Sequence, residues 1–251
     1  MRFIAIANQK GGVGKTTTAI NLSATLGLAG RRCLLIDLDP QGNASTGIGA
    51  EAKPHEGAYR LLTDPSRAAD QVVPTNASGV DVISSTSDLA EVENHISGPD
   101  RHLRLRMARE VIDNRYDYVL VDCPPSVGFF PTNALCACDT VLVPIQCEYF
   151  AMQGLAQILS NISLMKRRLN PGLEIEGILL TMHENSAFAA EVVSEVKNHF
   201  SDLVYATKVP RDTALAEAPS HGQTIVEYDH RSRGARAYME LAKEIEQNGK
   251  G

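Results

Sequence analysis

One nine-residue stretch constrains this chain more than any other: Gln9-Lys10-Gly11-Gly12-Val13-Gly14-Lys15-Thr16-Thr17. It follows an apolar, strand-like run, Phe3-Ile4-Ala5-Ile6-Ala7, and opens a run with helical periodicity, Thr17–Leu28. A phosphate-binding loop belongs at such a junction. Glycines let the backbone curl until its N–H groups point at phosphate oxygens, and the helix N-terminus adds the positive end of its dipole. Lys10, Gly11, Gly12, Val13, Gly14, Lys15, Thr16 and Thr17 are the candidate nucleotide contacts. Lys15 reaches the β- and γ-phosphates and the Thr16 hydroxyl sits on Mg²⁺. The common pattern G-x-x-x-x-G-K-[ST] fails at its first position, which is Gln9, and an additional lysine, Lys10, stands beside the glycine pair.

Around this loop, apolar runs alternate with helix-periodic ones. The candidate strands are Arg2–Asn8, Cys33–Asp37, Val80–Ser84, Tyr118–Asp122, Thr140–Ile145, Ile175–Met182 and Val204–Val209. Several are continuous Val/Ile/Leu runs, as expected of strands covered on both faces. Helical periodicity marks Thr17–Leu28, Leu103–Ile112, Met152–Leu169, Ala190–Phe200 and Ala235–Ile245. The alternation predicts an α/β fold with a doubly wound, mostly parallel sheet and helices on both faces. In such folds ligands bind outside the carboxyl ends of the strands, where Asn8, Asp37 and Asp122 fall. At 251 residues, with Gly49–His55 and Ser97–Arg101 read as loops, the chain is expected to form a single domain, 1–251, with a frayed tail at 247–251.

Two further segments supply chemistry. Leu34-Leu35-Ile36-Asp37-Leu38-Asp39-Pro40-Gln41-Gly42-Asn43 leaves an apolar strand through two acids and then enters turn residues. Tyr118-Val119-Leu120-Val121-Asp122-Cys123-Pro124-Pro125-Ser126 ends a second strand in an aspartate, the arrangement in which a carboxylate holds Mg²⁺ or its water. Magnesium takes only one or two carboxylates and keeps several waters, so Thr16 and Asp122 suffice for a normal site.

The segment K-G-G-V-G-K-T-T resembles the deviant Walker A motif of the ParA/MinD group of P-loop ATPases. The Asp37–Asn43 segment resembles the D-x-D-P-Q-G-N of ParA proteins. Gly177-Ile178-Leu179-Leu180-Thr181-Met182, Val209-Pro210-Arg211-Asp212 and Ala216-Glu217-Ala218-Pro219-Ser220-His221-Gly222 extend the likeness to ParA/Soj proteins over nearly the whole chain. The resemblance implies an ATP hydrolase that dimerises around Mg·ATP, with Lys10 crossing to the partner's phosphates as an arginine finger does. It implies that Asp39 positions the attacking water with Asp37 near the Mg²⁺ shell, and that the prolines after Asp122 stiffen a switch sensing γ-phosphate. Met182, Pro210 and Asp212 would border the adenine. The family reading adds a ParB-like partner that stimulates hydrolysis, non-specific DNA, and a cytoplasmic, nucleoid-associated location.

Where Soj-like members carry two DNA-contacting arginines, this chain has Ser186 and Ala214. Net charge is −6, so DNA contact needs a local patch. Arg211, Arg231, Arg233 and Arg236 are the first choice. Lys166-Arg167-Arg168 and Arg101/Arg104/Arg106/Arg109 are the other clusters. Three rival readings stand beside partition. A ParA-like ATPase could position another cargo, such as a chemoreceptor array. A MinD-like membrane ATPase calls for a basic amphipathic C-terminal helix, whereas residues 240–247 are acidic. A nitrogenase-reductase-like carrier needs paired cysteines, and Cys33, Cys123, Cys136, Cys138 and Cys147 lack a metal-binding spacing. No apolar run reaches the length of a membrane span.

Overall fold

The computed structural model describes residues 1–112, 114–148 and 151–248. Eight strands form one sheet: β1 (Arg2–Ile6), β2 (Cys33–Asp37), β3 (Val73–Pro74), β4 (Val80–Ile83), β5 (Tyr118–Asp122), β6 (Thr140–Gln146), β7 (Glu174–His183) and β8 (Val204–Pro210). Their order is β3-β4-β2-β5-β1-β6-β7-β8. Every pairing is parallel except that of β3 with β4. The chain starts at β1 in the middle, winds outward through β2 and β4, returns to β5 and then crosses to β6, β7 and β8. This reversal opens a crevice at the carboxyl end of β1, where the glycine-rich loop begins.

Burial explains the continuous apolar runs. Phe3, Ala5 and Ala7 pack on one face of the sheet, while Ile4 and Ile6 pack on the other. The same period of two divides Leu34 and Ile36 from Cys33 and Leu35, and Val119 and Val121 from Tyr118 and Leu120. Helices Ala58–Thr63, Arg104–Arg109, Phe129–Ala137, Ala151–Arg168 and Ala187–Phe200 cover the first face. Helices Lys15–Leu28, Asn43–Gly47, Ile225–Asp229 and Arg233–Asn248 cover the second.

The Lys15–Leu28 helix lies under the C-terminal helix and is buried on most sides. Tyr238 reaches it from that helix, and its hydroxyl lies 3.1 Å from Thr18 Oγ1. The C-terminal helix buries Ala235, Tyr238, Leu241, Ala242 and Ile245, a stripe at three- and four-residue spacing.

Several elements depart from the sequence reading. Helix Lys15–Leu28 starts two residues early, because Gly14 in the left-handed region delivers the loop straight into it. Helix Arg104–Arg109 is shorter than Leu103–Ile112, and Ser97–Arg101 runs into a 3₁₀ turn, Pro99–His102. Helix Phe129–Ala137 was not anticipated. Eight of its nine residues are buried, so it shows no polar face to give a period. The expected tail at 247–251 begins inside the C-terminal helix, and its last three residues lie outside the described part.

Candidate functional site

Gly12 and Gly14 have φ of 75° and 85°, which L side chains rarely adopt. They let the loop curl back over the N-terminus of the Lys15–Leu28 helix. Thr181, at the carboxyl end of β7, fixes the curl: its Oγ1 lies 2.9 Å from the Val13 carbonyl and 3.0 Å from that of Ile145. Asn8 braces the entrance by donating to the Pro144 carbonyl at 2.8 Å and accepting from the Lys10 N–H at 3.0 Å.

The two lysines behave differently. Lys15 is buried, and its Nζ bends back over the loop to the Lys10 carbonyl at 3.1 Å. Burial lowers its pKa, opposed by the charges of Asp122, Cys123 and Asp39. Lys10 points outward instead, with its Nζ 3.0 Å from Glu148 Oε2 and both side chains well exposed.

Asp37 and Asp122 close β2 and β5 and are register partners, so their carboxylates stand side by side. Both are fully buried. Asp37 accepts from the Asp39 N–H (3.0 Å), the Ser45 N–H (2.8 Å) and the Ser45 hydroxyl (2.7 Å). Burial nonetheless pushes its carboxyl up to about 6. Among the described residues, neither oxygen of Asp122 has a hydrogen-bond partner of acceptable geometry. Burial, then the Asp37 charge, raises its pKa well above the usual carboxylate range, while the Thr16 hydroxyl and the Lys15 ammonium oppose the rise. A buried, orphaned carboxylate calls for a cation or a proton. Hard oxygens from Asp122, Thr16 and Asp37 fit Mg²⁺. No group of three or more His, Cys, Asp or Glu among the described residues is placed to hold a metal. The donor set therefore suits an ion that takes phosphate and water for its other ligands. Asp39 is buried beside this pair, and its Oδ1 accepts from the Gln41 N–H at 3.0 Å.

Met182, Pro210 and Asp212 meet in a cavity of about 160 Å³ that also touches Gly14, Thr17 and Tyr238. It adjoins the glycine-rich loop and is lined mainly by apolar groups, which suits a flat apolar ligand. Met182 holds φ at 50°. Both oxygens of Asp212 are already engaged, Oδ1 by the Ala214 N–H at 3.2 Å and Oδ2 by the Gly234 N–H at 2.8 Å. A larger cavity of about 580 Å³ lies at the opposite ends of the strands, near Met1, Asp139 and Asn170. Arg109 in its wall is spent on Asp139 and the Ala137 carbonyl.

Arg211, Arg231, Arg233 and Arg236 are exposed and gather on one surface. Arg233 donates to the Arg211 carbonyl at 3.0 Å and Arg236 to the Arg231 carbonyl at 2.9 Å. Of the two other clusters, Arg101/Arg104/Arg106/Arg109 is dispersed by structural duties. Arg104 donates to the Leu62 and Thr63 carbonyls, and Arg101 pairs with Glu93. Ser186 caps the Ala187–Phe200 helix through the Ala189 N–H at 3.1 Å.

Thr181, Ser45 and Glu148 carry the site's bracing and were not singled out from sequence. Thr181 adjoins Met182 in the T-M motif, which was the available signal; for Ser45 and Glu148 there was none. All five cysteines are buried and free; burial pushes Cys33 up to about 12 and Cys136 to about 11. They are packing groups. The apolar stripe of the C-terminal helix is consumed by the core, and no helix of the described residues is long and apolar enough to cross a membrane.

Comparison with known proteins bears on the family and the fold. A family model described as an AAA domain matches residues 1–175. The sporulation initiation inhibitor protein Soj of Bacillus subtilis is 47% identical over 99% of both chains. The chromosome partitioning protein ParA of Myxococcus xanthus is 46% identical over 97% of this chain and 87% of that one. Among solved structures, cobyrinic acid a,c-diamide synthase from Mycobacterium smegmatis, with bound ATP analog and magnesium, is 32% identical. It superposes with a TM-score of 0.88, covering 100% of this chain and 96% of that one. The septum site-determining protein MinD of Pyrococcus horikoshii, complexed with Mg-ADP, shares the fold at 24% identity and a TM-score of 0.79, over 99% of this chain and 97% of that one.

Proposed function

This chain belongs to the Soj/ParA family of chromosome-partitioning ATPases, and on that premise we propose that it is an ATP-switched dimer that coats DNA without sequence preference. Residues 1–251 are taken as one ATPase domain acting in the cytoplasm on the nucleoid. The observation that carries the dimer is the outward Lys10. Lys15 lies over its own loop, whereas Lys10 turns away to the surface, where a second subunit's phosphates can take the place of Glu148.

Within each subunit the loop N–H groups and Lys15 would cradle the β- and γ-phosphates. Thr16 and Asp122, with Asp37 behind them, would hold Mg²⁺, which supplies charge neutralisation between the β- and γ-phosphates when bound. Asp39 is held by the Gln41 N–H through Oδ1, which leaves Oδ2 to orient water in line with the γ-phosphate. Lys10 from the partner would complete charge stabilisation, so hydrolysis depends on dimerisation and is slow until a ParB-like protein accelerates it. Met182, Pro210 and Asp212 would frame the adenine end. Arg211, Arg231, Arg233 and Arg236 would neutralise DNA phosphates, giving salt-sensitive binding.

The test is co-sedimentation of the Asp39→Ala protein with random-sequence DNA and, separately, with anionic liposomes, each with Mg·ATP or Mg·ADP over a salt series. ATP-dependent, salt-sensitive binding to DNA alone is the expected outcome. Binding to liposomes, or to neither, overturns the reading.

A further inference from the structure

The segment closing β8 faces two ways. Pro210, Arg211 and Asp212 all line the cavity beside the glycine-rich loop, and Arg211 is also exposed on the arginine surface. Asp212 spans the gap between the helices that follow. Its Oδ1 accepts from the Ala214 N–H, at the start of helix Thr213–Glu217, and its Oδ2 from the Gly234 N–H, in the first turn of the C-terminal helix. That first turn carries Arg233 and Arg236, and Arg233 returns a hydrogen bond to the Arg211 carbonyl.

Packing makes the joint stiff. A Cβ on Gly234 would lie 2.6 Å from Leu215 Cγ, so the C-terminal helix presses directly on a side chain that also lines the cavity. On the other side, Arg211 Nε pairs with Glu184 Oε1 at 2.5 Å, and the Arg211 N–H bonds the His183 carbonyl at 3.2 Å. Those contacts tie the segment to the end of β7, where Met182 is held in a left-handed conformation. The cavity wall and the arginine surface therefore share one short stretch of backbone and one carboxylate.

We propose that Asp212 is a positioning residue that couples occupancy of the base cavity to the arginine surface. A base filling the cavity orders residues 209–212, and Asp212 passes that order to the first turn of the C-terminal helix, presenting Arg211, Arg233 and Arg236 together. The consequence for DNA rests on the reading of that surface given above, and the coupling on the reading of the cavity as the base pocket. Because the signal is the base, inorganic tripolyphosphate, which offers phosphates alone, fails to send it.

The experiment measures amide hydrogen exchange across 232–237 in the full chain without ligand, with saturating Mg·ADP, and with Mg·tripolyphosphate. In the parent, ADP slows exchange by about fivefold or more, the low end of typical coupling between sites, and tripolyphosphate does not. In Asp212→Ala the ADP effect disappears. Asp212→Asn keeps size and one acceptor but turns an amide NH₂ toward the second backbone N–H. It stays folded at a smaller cost than alanine and still loses most of the ADP effect, which keeps the test alive where alanine unfolds the chain. DNA affinity at saturating Mg·ATP falls in parallel in both variants. ADP-dependent protection that survives in Asp212→Asn reduces Asp212 to a helix cap and overturns the proposal, as does equal protection by tripolyphosphate. A parent that shows the ADP effect but binds no DNA sinks the nucleic-acid reading while leaving the coupling intact.

Discussion

Thr181→Val isolates the bond that shapes the phosphate loop. Valine nearly matches threonine in volume, so the fully packed site, only 2% exposed, keeps its contacts and loses one hydroxyl. That hydroxyl is a single donor shared between the Val13 and Ile145 carbonyls at 2.9 and 3.0 Å. Losing one net hydrogen bond costs about 1 kcal/mol, and a buried carbonyl left without a partner adds about 1 kcal/mol or more. The expected loss is therefore about 2 kcal/mol, read as a shift of the urea midpoint at constant slope. A second effect follows from place rather than stability. Val13 lies in the turn whose N–H groups we propose converge on phosphate, so its release is expected to weaken Mg·ATP binding by about tenfold, the equivalent of about 1.4 kcal/mol. Titration with a fluorescent ATP analogue measures it. Thr181→Ser, which keeps the hydroxyl and drops a methyl, retains most of the affinity. Should valine bind ATP as the parent does while losing 2 kcal/mol, the hydroxyl is structural only. Should it lose neither, the proposed bracing is wrong.

The buried carboxylates give a pH test in chelator without nucleotide. Asp37 sits near 6 when folded because of burial, against about 3.9 for a free aspartate, so the folded state binds more protons between those values. The Asp37 contribution to stability therefore falls by about 2 to 3 kcal/mol as pH rises from about 4 to 6, and the fall continues above that range as Asp122, also raised by burial, ionises. The parent-minus-Asp37→Asn difference in unfolding free energy reports the interacting Asp37/Asp122 pair; identical pH profiles would falsify the assignment. For the surface pair, Glu148→Gln should leave unfolding within about 0.5 kcal/mol of the parent, since exposed ion pairs contribute little. It should also raise the dimer fraction in Mg·ATP, measured by sedimentation, because Lys10 no longer has a competing partner in its own chain; an unchanged or lower fraction counts against the outward-lysine argument.

The central strands were legible because burial on both faces leaves a continuous apolar run, and β2 and β5 match their expected limits residue for residue. Helix Phe129–Ala137 was not, because burial all round erases the contrast between faces that makes a helix readable. The two-residue strand β3, pairing antiparallel at the sheet edge, carries too little pattern to be seen at all.

At the site, the sequence determined what is local. The proposed phosphate recognition is backbone chemistry within one loop and one helix turn, so Gly12, Gly14, Lys15 and Thr16 mark it in a single stretch. A carboxylate ending an apolar strand likewise marks Asp37 and Asp122. Tertiary structure decided what depends on the order of strands. Placing β5 beside β2 sets two buried carboxylates in register and, among the described residues, leaves Asp122 without a well-formed hydrogen bond. Setting β7 beside β6 brings Thr181 onto the loop from a position 168 residues away. Only the packed fold joins Asp212 to Gly234 and turns Lys10 outward while Lys15 turns in. Those facts follow from contacts between segments far apart in the chain, and no local spacing encodes a contact whose partner is fixed by the sheet.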